Sequence, residues 1–186
     1  MIPCYVSGKG MYAGGVTRDF KVAVIGLLES SGLGYDTRYR YYQRQFPDLA
    51  AEDLARKICV PIEYYDRDWR TWRAARPADE DADQQVTRFF LERDGKFRGE
   101  ALAAIYCFDE AGFGSGVNVM RFIHDRKPLL GFYRRDLGTQ RINTGNVLQL
   151  AEEFPNLVTL HSYHNGDEIL GAVLAWLRCL PGGSQR

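Results

Sequence analysis

Apolar residues along this chain fall into two alternating patterns: short unbroken runs, and longer stretches with helical spacing. "IPCYVSG" from Ile2 is a compact apolar run closed by glycine and predicts a strand. In "VTRDFKVAVIGLLESSG", Phe20, Val24, Leu27 and Leu28 share one helical face, and Gly32 ends the pattern. "EALAAIYCFD" is nearly continuous apolar chain, as a central parallel strand covered on both faces requires. A glycine turn, a helix from Val117 to Asp125 and the run "KPLLGFY" follow, which together predict a β-α-β unit with a right-handed crossover. "NLVTLHSY" predicts one more strand. "GDEILGAVLAWLRCLPGG" predicts a last helix with Ile169, Val173, Trp176, Leu177 and Leu180 on one side, stopped by Pro181 and two glycines. The alternation predicts one doubly wound α/β domain over residues 1–186, a mostly parallel sheet flanked by helices.

The middle breaks this rhythm. "PDLAAEDLARKI" predicts a helix with Asp48 near its start, but "YDTRYRYYQRQF" and "YYDRDWRTWRAARPADEDAD" mix aromatics with both charges and fit neither period. The expectation is an irregular, aromatic- and Arg-rich excursion from the sheet over about residues 36–90. The acidic run from Asp79 to Asp83 reads as a solvated connection.

Charge narrows the function classes. The 24 basic and 24 acidic residues cancel, which removes global electrostatic support for gripping a nucleic-acid backbone. The apolar run from Val22 to Leu28 is too short to span a bilayer, and no signal-peptide layout precedes it, so the expectation is a cytoplasmic protein with no membrane partner. The four cysteines Cys4, Cys59, Cys107 and Cys179 show no short-spaced pair and read as buried free thiols. His161 and His164 sit where a strand leaves for a loop, which argues against metal, and no cofactor is expected.

Candidate chemistry gathers after two strands. Ligands of open parallel sheets bind outside the carboxyl ends of the strands, where the strand order reverses. "YVSGKGMY" and "DEAGFGSGVN" converge there on this reading. Gly112, Gly114 and Gly116 let a backbone approach a ligand closely, and amides at the start of the next helix suit a phosphate or a sugar hydroxyl. A strand-to-helix turn that merely needs glycine explains the same pattern equally well. "GKG" lacks the Walker spacing. Ser115 lies outside any Gly-x-Ser-x-Gly pattern and His124 is on its own helix, which argues against a serine hydrolase. Asp109 and Glu110 either point into the cleft or cap the turn and the following helix. Tyr12 either stacks on a base or packs against the middle segment.

In "CYVSGKGMY", "GEALAAIYCFDEAGFGSGVNVM" and "RINTGNVL" the chain resembles the nucleoside 2-deoxyribosyltransferase-like family, which includes deoxyribosyltransferases and nucleotide N-glycoside hydrolases. The resemblance covers both ends of the chain and fails over roughly residues 36–90. It implies a Rossmann-like fold. It further implies that Tyr5 supports a catalytic carboxylate, that Glu100 falls on a pocket aspartate, that Asn143 helps close the site, and that Asn118 stands where the family has its glutamate nucleophile. Residues Gly8, Tyr12, Asp109, Gly114, Ser115, Gly116 and Asn143 then complete a nucleoside or nucleotide pocket in a homo-oligomer. A neutral amide is a poor nucleophile, so double displacement through Asn118 is disfavoured.

Three functions remain open at this stage. Glu100 and Asn118 serve hydrolysis of an N-glycosidic bond, with desolvation raising the Glu100 pKa toward general-acid use. The pocket senses a nucleotide or an ADP-ribose-type ligand without turnover. Or "RYRYYQR" and "RDWRTWR", within residues 38–73, bind single-stranded nucleic acid by stacking and phosphate pairing. Against that last function, Tyr39, Tyr41, Trp69 and Trp72 cover a sheet edge or an oligomer interface, with the arginines paired to Asp66 and Asp68.

Overall fold

Five parallel strands form a single sheet in the computed structural model, which describes residues 1–9, 14–59, 62–76, 81–134 and 141–181. The side chains of 59, 62–66, 82–83 and 141–144 lie outside that description. The strands are β1 (Ile2–Ser7), β2 (Gly34–Asp36), β3 (Ala103–Cys107), β4 (Leu129–Arg134) and β5 (Val158–Tyr163), in the order β2-β1-β3-β4-β5. All four pairings are parallel, with Tyr5 beside Ala104, Ser7 beside Tyr106, and Tyr106 beside Gly131. Every residue of β3 is buried, as its unbroken apolar run requires for a strand covered on both faces.

Helices cover both faces. Helix α1 (Gly15–Ser31) and the last helix α8 (Gly166–Cys179) lie on the face where Phe20 packs 5.6 Å from Phe132. Helix α6 (Phe113–His124) lies on the other face, its Phe122 ring 5.7 Å from that of Tyr5. Helix α7 (Arg141–Glu153) returns the chain from β4 to β5 beside α6. The predicted apolar face of α1 buries Phe20, Val24 and Leu28 together with Ile25, and Gly32 terminates it in the left-handed conformation, with φ of 67°. Ile169, Val173 and Leu177 are the buried side of α8, whose start is capped by Asn165 accepting from the Glu168 amide at 3.2 Å. The doubly wound α/β expectation is met.

The middle is helical, not irregular. It consists of the short strand β2 and of α2 (Thr37–Gln45), α3 (Ala51–Cys59), α4 (Ile62–Ala74) and α5 (Ala82–Glu100). Its rings explain why no period was visible: Trp69 and Trp72 stack at 5.4 Å and both pack against Phe89, while Tyr41 and Tyr42 pack on Phe97. Arginine stems then cover the outer rings, Arg76 lying 4.1 Å over Trp72, so charged residues share the packed faces. Asp68 accepts from the Tyr42 hydroxyl at 2.7 Å. Asp66 and the segment 77–80 within the proposed acidic connection lie outside the described side chains and residues.

Two further expectations change. Glu100 is the last residue of α5 and not the first of a strand, because the backbone stays helical through it and β3 begins at Ala103. Cys179 is exposed, since it stands on the solvent side of α8, whereas Cys4 and Cys107 are buried free thiols as expected. Burial first, and the nearby Asp36 or Asp109 second, push both buried thiols up to about 12, so neither is a ready nucleophile. Among the described residues no helix is long and apolar enough to cross a membrane, and no cluster of metal-ligating side chains occurs.

Candidate functional site

In the order β2-β1-β3-β4-β5 the direction of winding reverses between β1 and β3, which makes their carboxyl ends the switch point of the sheet. The turns after these two strands meet there. The Ser115 hydroxyl at the start of α6 donates to the Gly8 carbonyl at 3.2 Å. A β-carbon on Gly8 would lie 2.9 Å from the Cys107 carbonyl and 2.7 Å from the Thr17 methyl, so glycine is what lets the two turns come this close. By contrast, β-carbons at Gly112, Gly114 and Gly116 would meet nothing within 4 Å, so packing does not require these three glycines. The N-terminus of α6 has no side-chain cap.

Glu110 fills the corresponding position on α1. Its carboxylate accepts from the Gly14 amide at 3.1 Å, from the Thr17 amide at 3.2 Å and from the Thr17 hydroxyl. Partial burial alone would raise its pKa, but these hydrogen bonds, led by that of the Thr17 hydroxyl, hold it below the ordinary glutamate value. Asp109 is equally engaged. It is buried, and accepts from the Arg134 amide at 2.7 Å and from the Tyr163 hydroxyl, tying the end of β3 to β4 and β5. Burial, followed by this bond to Asp109, raises the Tyr163 hydroxyl above its ordinary pKa, which keeps it a neutral donor. Glu110 is thus a cap, though of α1 and not of the helix that follows it, whereas Asp109 caps no helix and joins the strand ends instead.

On the opposite face a second cluster surrounds Tyr5, which is fully buried. Asp36 caps α2 by accepting from the Arg38 and Tyr39 amides, and also accepts from the Val6 amide at 2.8 Å across the sheet. Arg38 donates to the Val6 carbonyl, lies 3.4 Å from Asp36 and places its guanidinium 4.6 Å over the Tyr5 ring. Arg93 and Asp94 pair at 2.6 Å on α5. Arg98, one turn further on, is buried and donates to the Asn118 Oδ1 at 2.9 Å. Burial raises the pKa of the Tyr5 hydroxyl, and Asp94 adds to the effect while Arg38, Arg98 and Arg93 oppose it. The Tyr106 hydroxyl, beside Ser7, is also raised, chiefly by burial.

Tyr5, Gly8, Ser115 and Asn118 are thus brought to one region around the ends of β1 and β3, and Gly114 and Gly116 form the first turn of α6 above it. Glu100 is not brought there. It is exposed at the amino end of β3, with the whole five-residue strand, roughly 16 Å, between it and Asp109. The burial that its expected function needed is absent. Asn143 stands in the first turn of α7, but its side chain lies outside the described ones, and Tyr12 lies outside the described residues.

Sequence reasoning missed Asp36, Arg38, Arg93, Asp94 and Arg98. Asp36 directly before "TRYRYYQ" is a helix-start signal that was there to be read. "ERDGKFRGE" carries nothing that separates the buried Arg98 from its exposed neighbours Lys96 and Glu100. No model of a known protein family and no curated protein matches the chain.

Proposed function

We propose that this chain is a nucleoside- or nucleotide-binding domain of the deoxyribosyltransferase-like class, with its pocket at the β1/β3 switch point, and that it does not exchange bases by double displacement. The observation that carries this is the Arg98–Asn118 hydrogen bond. The amide standing where the family has its nucleophile is oriented by a buried cation on a neighbouring helix, an arrangement suited to holding a polar ligand group. The acids closest to the two turns, Asp109 and Glu110, are consumed by structural hydrogen bonds, which favours binding over chemistry. The aromatic rings needed for single-strand stacking are packed against one another, which disfavours that alternative.

Hydrolysis of an N-glycosidic bond is the second reading. Asp94 favours it, a partly exposed carboxylate whose charge acts on the Tyr5 hydroxyl. The resemblance also implies a homo-oligomer, which sedimentation velocity tests. Incubation with nucleosides, nucleoside monophosphates and NAD, with calorimetry for binding and chromatography for released bases, separates the two functions. Binding without base release supports the first. Base release abolished by Asp94→Asn supports the second. Rapid base exchange that survives Asn118→Ala overturns the proposal that the glutamate position has been lost.

A further inference from the structure

We infer that Arg98 is the counter-charge for a phosphate group of the ligand, which enters between α5 and α6 beside Asn118. The inference rests on the nucleoside or nucleotide reading above and narrows it to the phosphorylated form.

Charge around Tyr5 does not balance. Arg38 lies 3.4 Å from Asp36 and Arg93 lies 2.6 Å from Asp94, but Arg98 forms no ion pair with any carboxylate among the described residues. It is only 6% exposed. A guanidinium has five N–H donors in a planar fork, and the hydrogen bond to neutral Asn118 engages one of its nitrogens. Burying such a group without an anion is strongly unfavourable, so a fold that retains it beside the half-buried Asn118 is arranged for an anion supplied from outside.

The ordinary role of an arginine in the last turn of a helix is to meet that helix's own terminal carbonyls. Here Lys127 has taken that role, donating to the Arg98 and Gly99 carbonyls at 2.7 and 3.1 Å. The Arg98 side chain turns back along α5 instead, its Nη2 3.8 Å from the position a β-carbon on Gly95 would occupy. Asn118 beside it is half-buried and so reaches solvent, and the space over Gly114 one turn above is open. The uncapped N-terminus of the twelve-residue α6 adds a field of the same sign. A phosphate suits the fork geometry of the guanidinium.

Calorimetry on the full chain with a nucleoside, its 5′-monophosphate and inorganic phosphate tests this. The monophosphate is expected to bind at least tenfold more tightly than the nucleoside. Arg98→Gln brings the affinities of the two within twofold of each other. Asn118→Asp places a carboxylate where the amide oxygen now meets Nη1, an internal rival that removes the preference in a protein that stays folded. Equal binding of nucleoside and monophosphate to the unaltered chain overturns the inference and leaves the nucleoside reading standing. So does a phosphate preference retained in folded Arg98→Gln or, should that variant not fold, in Asn118→Asp. Inorganic phosphate binding that both substitutions abolish, with no gain from the attached nucleoside, supports the Arg98 site and sinks the nucleoside reading.

Discussion

Thr17 and Glu110, 93 positions apart in the chain, meet at the top of the sheet, where the Glu110 carboxylate accepts from both the amide and the hydroxyl of Thr17. With the bond from the Gly14 amide, the turn after β3 supplies the cap that α1 lacks from its own preceding residue, Gly14. The two turns of the candidate site are therefore held together by the start of a helix.

Glu110→Gln is expected to destabilise the protein by about 0.5–2 kcal/mol at neutral pH, the usual range for losing a helix cap. The folded pKa of Glu110 is depressed, so its contribution is fully present above the ordinary glutamate value of 4.5 and is lost as pH falls through the folded value. The difference in Tm between the two proteins should shrink below about pH 4.5. A constant difference down to strongly acidic pH would refute the charged cap.

Asn118→Leu removes the hydrogen-bond partner of a buried guanidinium at nearly constant volume. A loss of about 1.5–3 kcal/mol is expected, as for hydrogen bonds to charged groups. Because the cost is that of an unsolvated charge, the double variant Arg98→Met with Asn118→Leu should recover most of it. Urea denaturation of the four proteins measures the coupling, and simple additivity would show that the pair is not what holds this region.

Tyr163→Phe leaves one oxygen of the buried Asp109 without the Tyr163 hydroxyl. About 1–3 kcal/mol of stability should be lost. Nucleotide affinity should stay within twofold, because Asp109 ties β3 to β4 and β5 on the face opposite Asn118. A tenfold change in affinity at unchanged Tm would make Asp109 a ligand contact after all.

Glycine substitutions separate packing from access. Gly8→Ala forces a methyl against the Cys107 carbonyl, a backbone atom that cannot rotate away, and should cost about 1–3 kcal/mol. Gly114→Ala meets nothing within 4 Å and should keep or raise Tm through better helix propensity, while ligand affinity falls. Thermal melts and calorimetry on both variants check the contrast.

Glu100→Gln should change neither binding nor any release of base, since the residue is exposed at the far end of β3. A loss of turnover at intact binding would restore it as a catalytic group.

The helices α1, α6 and α8 were legible in the chain because each buries one face of its own, which writes a local period, and the strands β1, β3, β4 and β5 because they read as short apolar runs, unbroken in β3, which is buried on both faces. β2 was not: it has three residues, and only its pairing with β1 makes it a strand. Helices α2, α4 and α5 escaped because their rings pack on one another under arginine stems, so both charges and aromatics recur on the same faces. The residue order also marked the glycines after β3 and the amide at 118.

What the sequence determined by itself was the winding of the sheet and the identity of the two turns at its switch point, since apolar periodicity and glycine positions are properties of neighbouring residues. Which acids and bases meet was decided only by tertiary structure. Asp109 was committed to joining strands and Glu110 to capping α1, Glu100 was left at the end of α5 before the amino end of β3, and Arg98 was buried against Asn118 by contacts between separate segments of the chain. Charge balance in a buried site is a sum over such distant neighbours, and no local pattern records it.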